Sequence, residues 1–207
     1  MYVQVTLRLR SDGNLLFSSC LDVLSRRVKL LALLNLAFFS CVLTGVLVSD
    51  LLYPSPPLID SSPPFPQQAV GNVAYVFLFI FLFNLVVSGF TVVTLPGFAF
   101  FPLSTVFLVY RALLWGLLLH GQASWLFLAA LPTLVLEGEA YVLAALAGTI
   151  IGASWIEPAL LYGKDVTGRA GALKRAASEC FYVYLLVVAF LFFAAVVETV
   201  TLLLINK

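Results

Sequence analysis

The stretch from Val28 to Ser49 runs 22 residues with no charge after Lys29, and four more apolar stretches follow it along the chain. A helix needs about 20 residues to cross a hydrocarbon core about 30 Å thick. Only helices and closed barrels satisfy every backbone polar group in lipid. Runs of this length therefore read as helical spans, and the fold class is all-α, a polytopic membrane protein. Composition agrees. The 207 residues are 62% hydrophobic and 10% charged, with a mean hydropathy of +1.09. That leaves too little polar surface for a water-soluble enzyme. A net charge of +1 gives no field for nucleic acid.

Five transmembrane helices are expected, over 28–49, 72–94, 98–119, 124–156 and 180–205. Residues 1–27 form a segment of their own. Ser11–Asn14 reads as a turn, and 15–27 as an interfacial amphipathic helix leading into the single transmembrane domain, 28–207. The loop 50–71 holds six of the ten prolines and reads as extended. Phe77, Phe79, Phe81 and Phe83 are expected to face mostly lipid, and Pro96-Gly97 to break the chain tightly. Residues 124–156 are too long for one upright span. Pro132 and Gly138 interrupt them, which leaves a broken or re-entrant fourth segment: either a tilted, kinked span or a short re-entrant piece (124–136) followed by a span (about 139–156). The basic residues lie before span 1 and in the loop 157–178, while 50–71 has none. The positive-inside rule then puts the N-terminus and the basic loop in the cytoplasm of a multi-pass cell-membrane protein, with the Pro-rich loop outside.

Ionisable groups at membrane depth need partners. Arg111, Glu137, Glu139 and Glu198 are the candidates. Arg111 and Glu198 each lie roughly 11–12 Å below the same surface at 1.5 Å per residue, so an ion pair between them is geometrically open. The bland alternative for both is snorkelling to the interface. Glu137 and Glu139 flank Gly138 in the least regular segment. They read either as a proton or cation relay or as a buried polar knot that fixes packing. Ala140, Ala144, Gly148 and Gly152 repeat every four residues, a small-residue stripe for close helix packing in lipid. Glu137 lies on nearly the same face, pointing at a protein neighbour.

Enzyme signatures are missing. His120 is the sole histidine, so a multi-His metal site cannot form, and no Gly-x-Ser-x-Gly or His-Glu-x-x-His motif is present. Cys20, Cys41 and Cys180 have no metal-site spacing. No cofactor or metal is expected.

The run Leu131 to Ala140 and the small-residue helix after it resemble the signature of the stage II sporulation protein M family. That family shows Pro-His-Gly-x-x-Glu-x-x-Ala after a span. Pro132, Glu137 and Ala140 match at the same spacing, while Thr133 and Leu134 replace the His and Gly. Asn84 and the Leu113-Leu114-Trp115-Gly116 stretch also sit where the family has a membrane Asn and a Gly. The resemblance covers about residues 72–200. It implies a non-enzymatic membrane scaffold, a partner in a complex with copies of itself or other membrane proteins in the lipid bilayer. The alternative from the residues is an ion- or proton-coupled transporter or channel using Glu137 and Glu139.

Overall fold

The computed structural model describes residues 16–52, 72–119, 124–163 and 168–205, with backbone alone over 124–130. The expected turn at 11–14, most of the Pro-rich loop and His120 lie outside the described residues. Almost all described residues are helical, and five helices are long and apolar enough to cross a membrane. The elements are α1 (16–26), α2 (Val28–Leu52), α3 (Val73–Ala99), α4 (Pro102–Leu119), α5 (Ser124–Ile156), α6 (Pro158–Tyr162) and α7 (Gly168–Ile205). Arg27 makes a single turn between α1 and α2. Gly163, at φ 66°, ends α6 in a backbone region that favours glycine.

α5 is the axis of the bundle. Every residue from 140 to 154 is buried, whereas the other four spanning helices turn most of their surface outward. A helix apolar all round belongs in the interior. α7 packs along α5, α2 along α4, and α3 closes the remaining side. Outward side chains such as Leu36, Leu43, Leu47 and Phe193 are large and apolar, as lipid contact requires.

Close approach is possible because small residues meet backbone. A Cβ on Gly45 of α2 would stand 2.6 Å from the Leu113 carbonyl oxygen and 2.9 Å from the Gly116 Cα of α4. A Cβ on Gly148 of α5 would stand 2.7 Å from the Thr94 carbonyl oxygen of α3. Helices in lipid associate through such van der Waals contact, because no hydrophobic drive separates them from acyl chains.

Several expectations change. The fourth segment is neither broken nor re-entrant. It runs as one helix through both Pro132 and Gly138. A proline inside a membrane helix is tolerated where neighbouring structure satisfies the freed backbone. Gly138 serves contact instead: a Cβ there would lie 2.7 Å from the Phe38 ring. Pro96-Gly97 does not break the chain either. Pro96 sits in the first turn of a short α segment, where a missing N–H costs little. The break falls at extended Phe100 (φ −154°, ψ 114°), so span 3 starts at Pro102, not 98. The basic region from Gly168 is already part of the last helix. Of the four phenylalanines, only Phe79 and Phe83 are exposed. Phe77 and Phe81, one turn apart on the other face, pack edge-on against Phe192 at 5.4 and 6.2 Å.

The irregularity sits in α3. Val73–Leu82 is α-helical, Phe83–Thr94 is a π-helix, and Leu95–Ala99 is α-helical again. Hydroxyls follow the wider turn. Thr91 Oγ1 donates to the Val86 carbonyl at 2.8 Å, and Thr94 Oγ1 lies 3.1 Å from that of Gly89, both five residues back. The inward residues Ser88, Gly89, Val93 and Thr94 accordingly recur every fourth or fifth position. π-helical turns are rare and cluster at functional sites.

Gly148→Val is expected to destabilise the protein by about 1–3 kcal/mol or more through overpacking against Thr94. Leu47→Ala, on the lipid face, should change stability by less than about 0.5 kcal/mol. Thermal unfolding in detergent distinguishes the two.

Candidate functional site

Three helices deliver one polar side chain each, and α5 delivers two, to the bundle interior. On α5, Glu137 and Tyr141 are one turn apart and share a face. Glu137 is buried, 7% exposed, and Tyr141 is fully buried. The π segment of α3 brings in Asn84, and α4 brings in Arg111. Arg111 Nη2 donates to the Tyr141 hydroxyl at 2.9 Å. That hydroxyl donates to Asn84 Oδ1 at 2.9 Å. Asn84 Nδ2 donates to Glu137 Oε1 at 2.6 Å. The donors all point the same way, from guanidinium through phenol and amide to carboxylate. A guanidinium and a carboxyl group are thus joined through two neutral groups. The guanidinium also stacks on the Tyr141 and Trp115 rings, 4.2 and 5.5 Å from their centroids, which adds cation–π attraction. Glu198 of α7, half-buried, faces the Glu137 carboxyl within hydrogen-bonding reach.

The sequence-predicted residues separate into two groups. Arg111, Asn84, Glu137 and Glu198 come together. No ion pair joins Arg111 to Glu198 among the described residues, because the Tyr141 phenol takes the guanidinium instead. Glu139 stands apart. Residues two apart on a helix do not share a face, and Phe38 of α2 is seated on Gly138. Glu139 faces Asn35 of α2. With its nitrogen turned to the carboxylate, the Asn35 amide donates at 2.8 and 3.3 Å. The small-residue stripe meets a neighbour in this chain. Ala140 and Ala144 are fully buried, the Ala144 carbonyl lies 2.9 Å from Thr94 Oγ1, and Gly148 and Gly152 lie against Thr94 and Gly97 of α3 and Phe101 just after it. The Tyr184 hydroxyl of α7 completes this contact, 2.5 Å from Thr94 Oγ1.

A second cluster escaped the sequence reading. Arg27, between α1 and α2, pairs with buried Glu179 of α7 through Nη2 at 2.9 Å and Nε at 3.3 Å. Its Nη1 donates to the Leu161 carbonyl at 3.0 Å. Arg175 approaches the other Glu179 oxygen at 3.4 Å. Both guanidinium groups stack on Tyr162, at 5.1 and 4.7 Å. Burial pushes the Tyr162 phenol up to about 12, Glu179 adds to this, and the two arginines oppose it. The ring is therefore a neutral partner for both cations at ordinary pH. Burial likewise raises the Cys20 thiol on α1. Depth matching could have found this cluster: Arg27 immediately precedes the first span and Glu179 the last, at one end of the bundle. Among the described residues, no group of three His, Cys, Asp or Glu side chains could hold a metal ion.

Tyr141→Phe removes the middle of the ladder and leaves Arg111 and Asn84 each short of a partner. The expected cost is about 1–3 kcal/mol, read by thermal unfolding in detergent. Glu179→Gln leaves Arg27 unneutralised in a buried site and should cost more, about 3–5 kcal/mol. In the same assay, the Arg27→Met/Glu179→Met double variant should recover much of that loss.

No curated protein and no solved structure matches the chain. Residues 33–201 match the family model for Stage II sporulation protein M, SpoIIM. That stretch contains the Arg111–Tyr141–Asn84–Glu137 ladder and most of the bundle, and the chain belongs to the Stage II sporulation protein M family.

Proposed function

We propose that this protein is a non-enzymatic scaffold of the cell membrane. It holds its place in a membrane complex with copies of itself or with other membrane proteins. Its N-terminus lies on the cytoplasmic side, the orientation favoured by the cations exposed at the α1 and α7 end, Arg26, Lys29, Arg169 and Lys174. One observation carries the reading: four polar side chains from three helices at membrane depth are tied to one another. Arg111, Tyr141, Asn84 and Glu137 form a linear donor–acceptor series. Such networks, when satisfied, fix one packing arrangement. Glycine-to-backbone contacts around α5 act in the same direction.

The competing reading is an ion- or proton-coupled transporter. It has less support at Glu137 and Glu139, since the two turn to different neighbours, Asn84 of α3 and Asn35 of α2. Its remaining site is Glu137 with Glu198.

The test is flux from vesicles. Purified protein is reconstituted with a trapped pH-sensitive dye, and proton and Na⁺ or K⁺ gradients are applied. Wild type should leak no faster than empty vesicles. Glu137→Gln and Glu198→Gln should leave that rate unchanged, with any effect confined to thermal stability. A protein-dependent flux that Glu137→Gln abolishes without lowering stability would overturn the scaffold reading in favour of transport.

A further inference from the structure

α1 presents two apolar faces. One is closed within the protein: Cys20 and Val23 are buried, and Cys20 Sγ donates to the Tyr182 carbonyl of α7 at 3.4 Å. The other points outward. Phe17 (61% exposed) and Leu21 (50%) form a stripe one turn apart, half-buried Leu24 follows, and Val28 (56%) at the start of α2 lies next along the chain. Arg27 ties this helix to Glu179, so the stripe lies beside the first turns of α7, where the chain leaves its apolar run.

Charge at this end is one-sided. Arg26, Lys29, Arg169, Lys174 and Arg175 are exposed. The acids there are Asp22, which pairs with Arg26 at 3.0 Å, buried Glu179, which pairs with Arg27, and exposed Glu157. At the opposite end the described residues include Asp50 and no exposed cation. An apolar stripe flanked by cations, on a helix lying where a bundle leaves the hydrocarbon, matches the pattern of an interfacial helix drawn to anionic lipid.

We infer that the outward face of α1, with the exposed cations of α1, α2 and the first turns of α7, is a binding surface for anionic phospholipid. Phe17, Leu21 and Val28 insert among the acyl chains beneath the headgroups. Lys29, Arg169 and Lys174 meet the headgroup phosphates. Arg175 is partly committed to Glu179 and Tyr162 and contributes at the edge. The attraction is electrostatic at the headgroup and apolar below it, so it selects charge rather than a headgroup shape.

The test uses full-length protein carrying Phe17→Trp, reconstituted in phosphatidylcholine vesicles. Increasing fractions of acyl-brominated phosphatidylglycerol or acyl-brominated phosphatidylcholine are included, and the emission of unsubstituted protein is subtracted. The phosphatidylglycerol form should half-quench the reporter at a roughly fivefold lower mole fraction. Adding Arg169→Gln and Lys174→Gln, both at exposed positions, should bring the two lipids to within about twofold. Equal quenching by both lipids would overturn the inference. So would an anionic preference that survives the double substitution, or no quenching by either lipid.

Discussion

The 2.6 Å bond from Asn84 to Glu137 is the contact around which the interior is arranged. In hydrocarbon no water stands in for a missing partner, so a buried carboxylate must find its donors within the protein. Asn84 supplies one and needs an acceptor-side partner of its own. Tyr141 provides it and in turn needs a donor, and Arg111 meets that need. The ladder fixes the Asn84 amide orientation, because the reversed amide would set donor against donor at Tyr141 and acceptor against acceptor at Glu137. It also fixes the relative heights of α3, α4 and α5.

Two further devices hold the bundle. Backbone-to-backbone contact at Gly45 and Gly116 brings α2 and α4 close with no side chain between them, and at Gly97 and Gly148 only the small Ser104 hydroxyl stands beside the backbone. These contacts are apolar and tolerate little added volume. The ladder and the Arg27–Glu179 cluster act differently: they cost desolvation but discriminate sharply between registers. Sliding α5 by one turn would keep much of its apolar burial and would strand Glu137. Packing brings the helices together, and the polar clusters select which arrangement persists.

The spans were legible because lipid imposes a minimum length on any apolar helix, and 28–49 shows it directly, whereas the single helix over 124–156 was hidden by Pro132 and Gly138. The stripe from Ala140 to Gly152 was legible as a close-packing face, since small residues at every fourth position leave few other uses in lipid. Its partner was not, because nothing in α5 itself says which helix lies opposite. Arg111, Glu137 and Glu198 stood out as charged residues in apolar runs, and Asn84 only through the family resemblance. Tyr141, the link between them, did not stand out, because a tyrosine in a membrane helix passes for an aromatic. Glu139 was grouped with Glu137 by nearness in sequence, where helix geometry sends the two to opposite sides. The π-helix left no sign, since Phe83–Thr94 holds no residue excluded from an ordinary α-helix.

The pairing of Arg27 with Glu179 spans 152 residues. A ribosome adding about 5–20 residues per second needs roughly 8–30 seconds to cover that distance. Throughout that interval the joint between the first two helices carries a guanidinium whose carboxylate has not yet been made. The N-terminal helix can enter the bilayer early, but its seat is finished only when the last helix arrives. The joint between α1 and α2 is therefore completed only after Glu179 of α7 has been made.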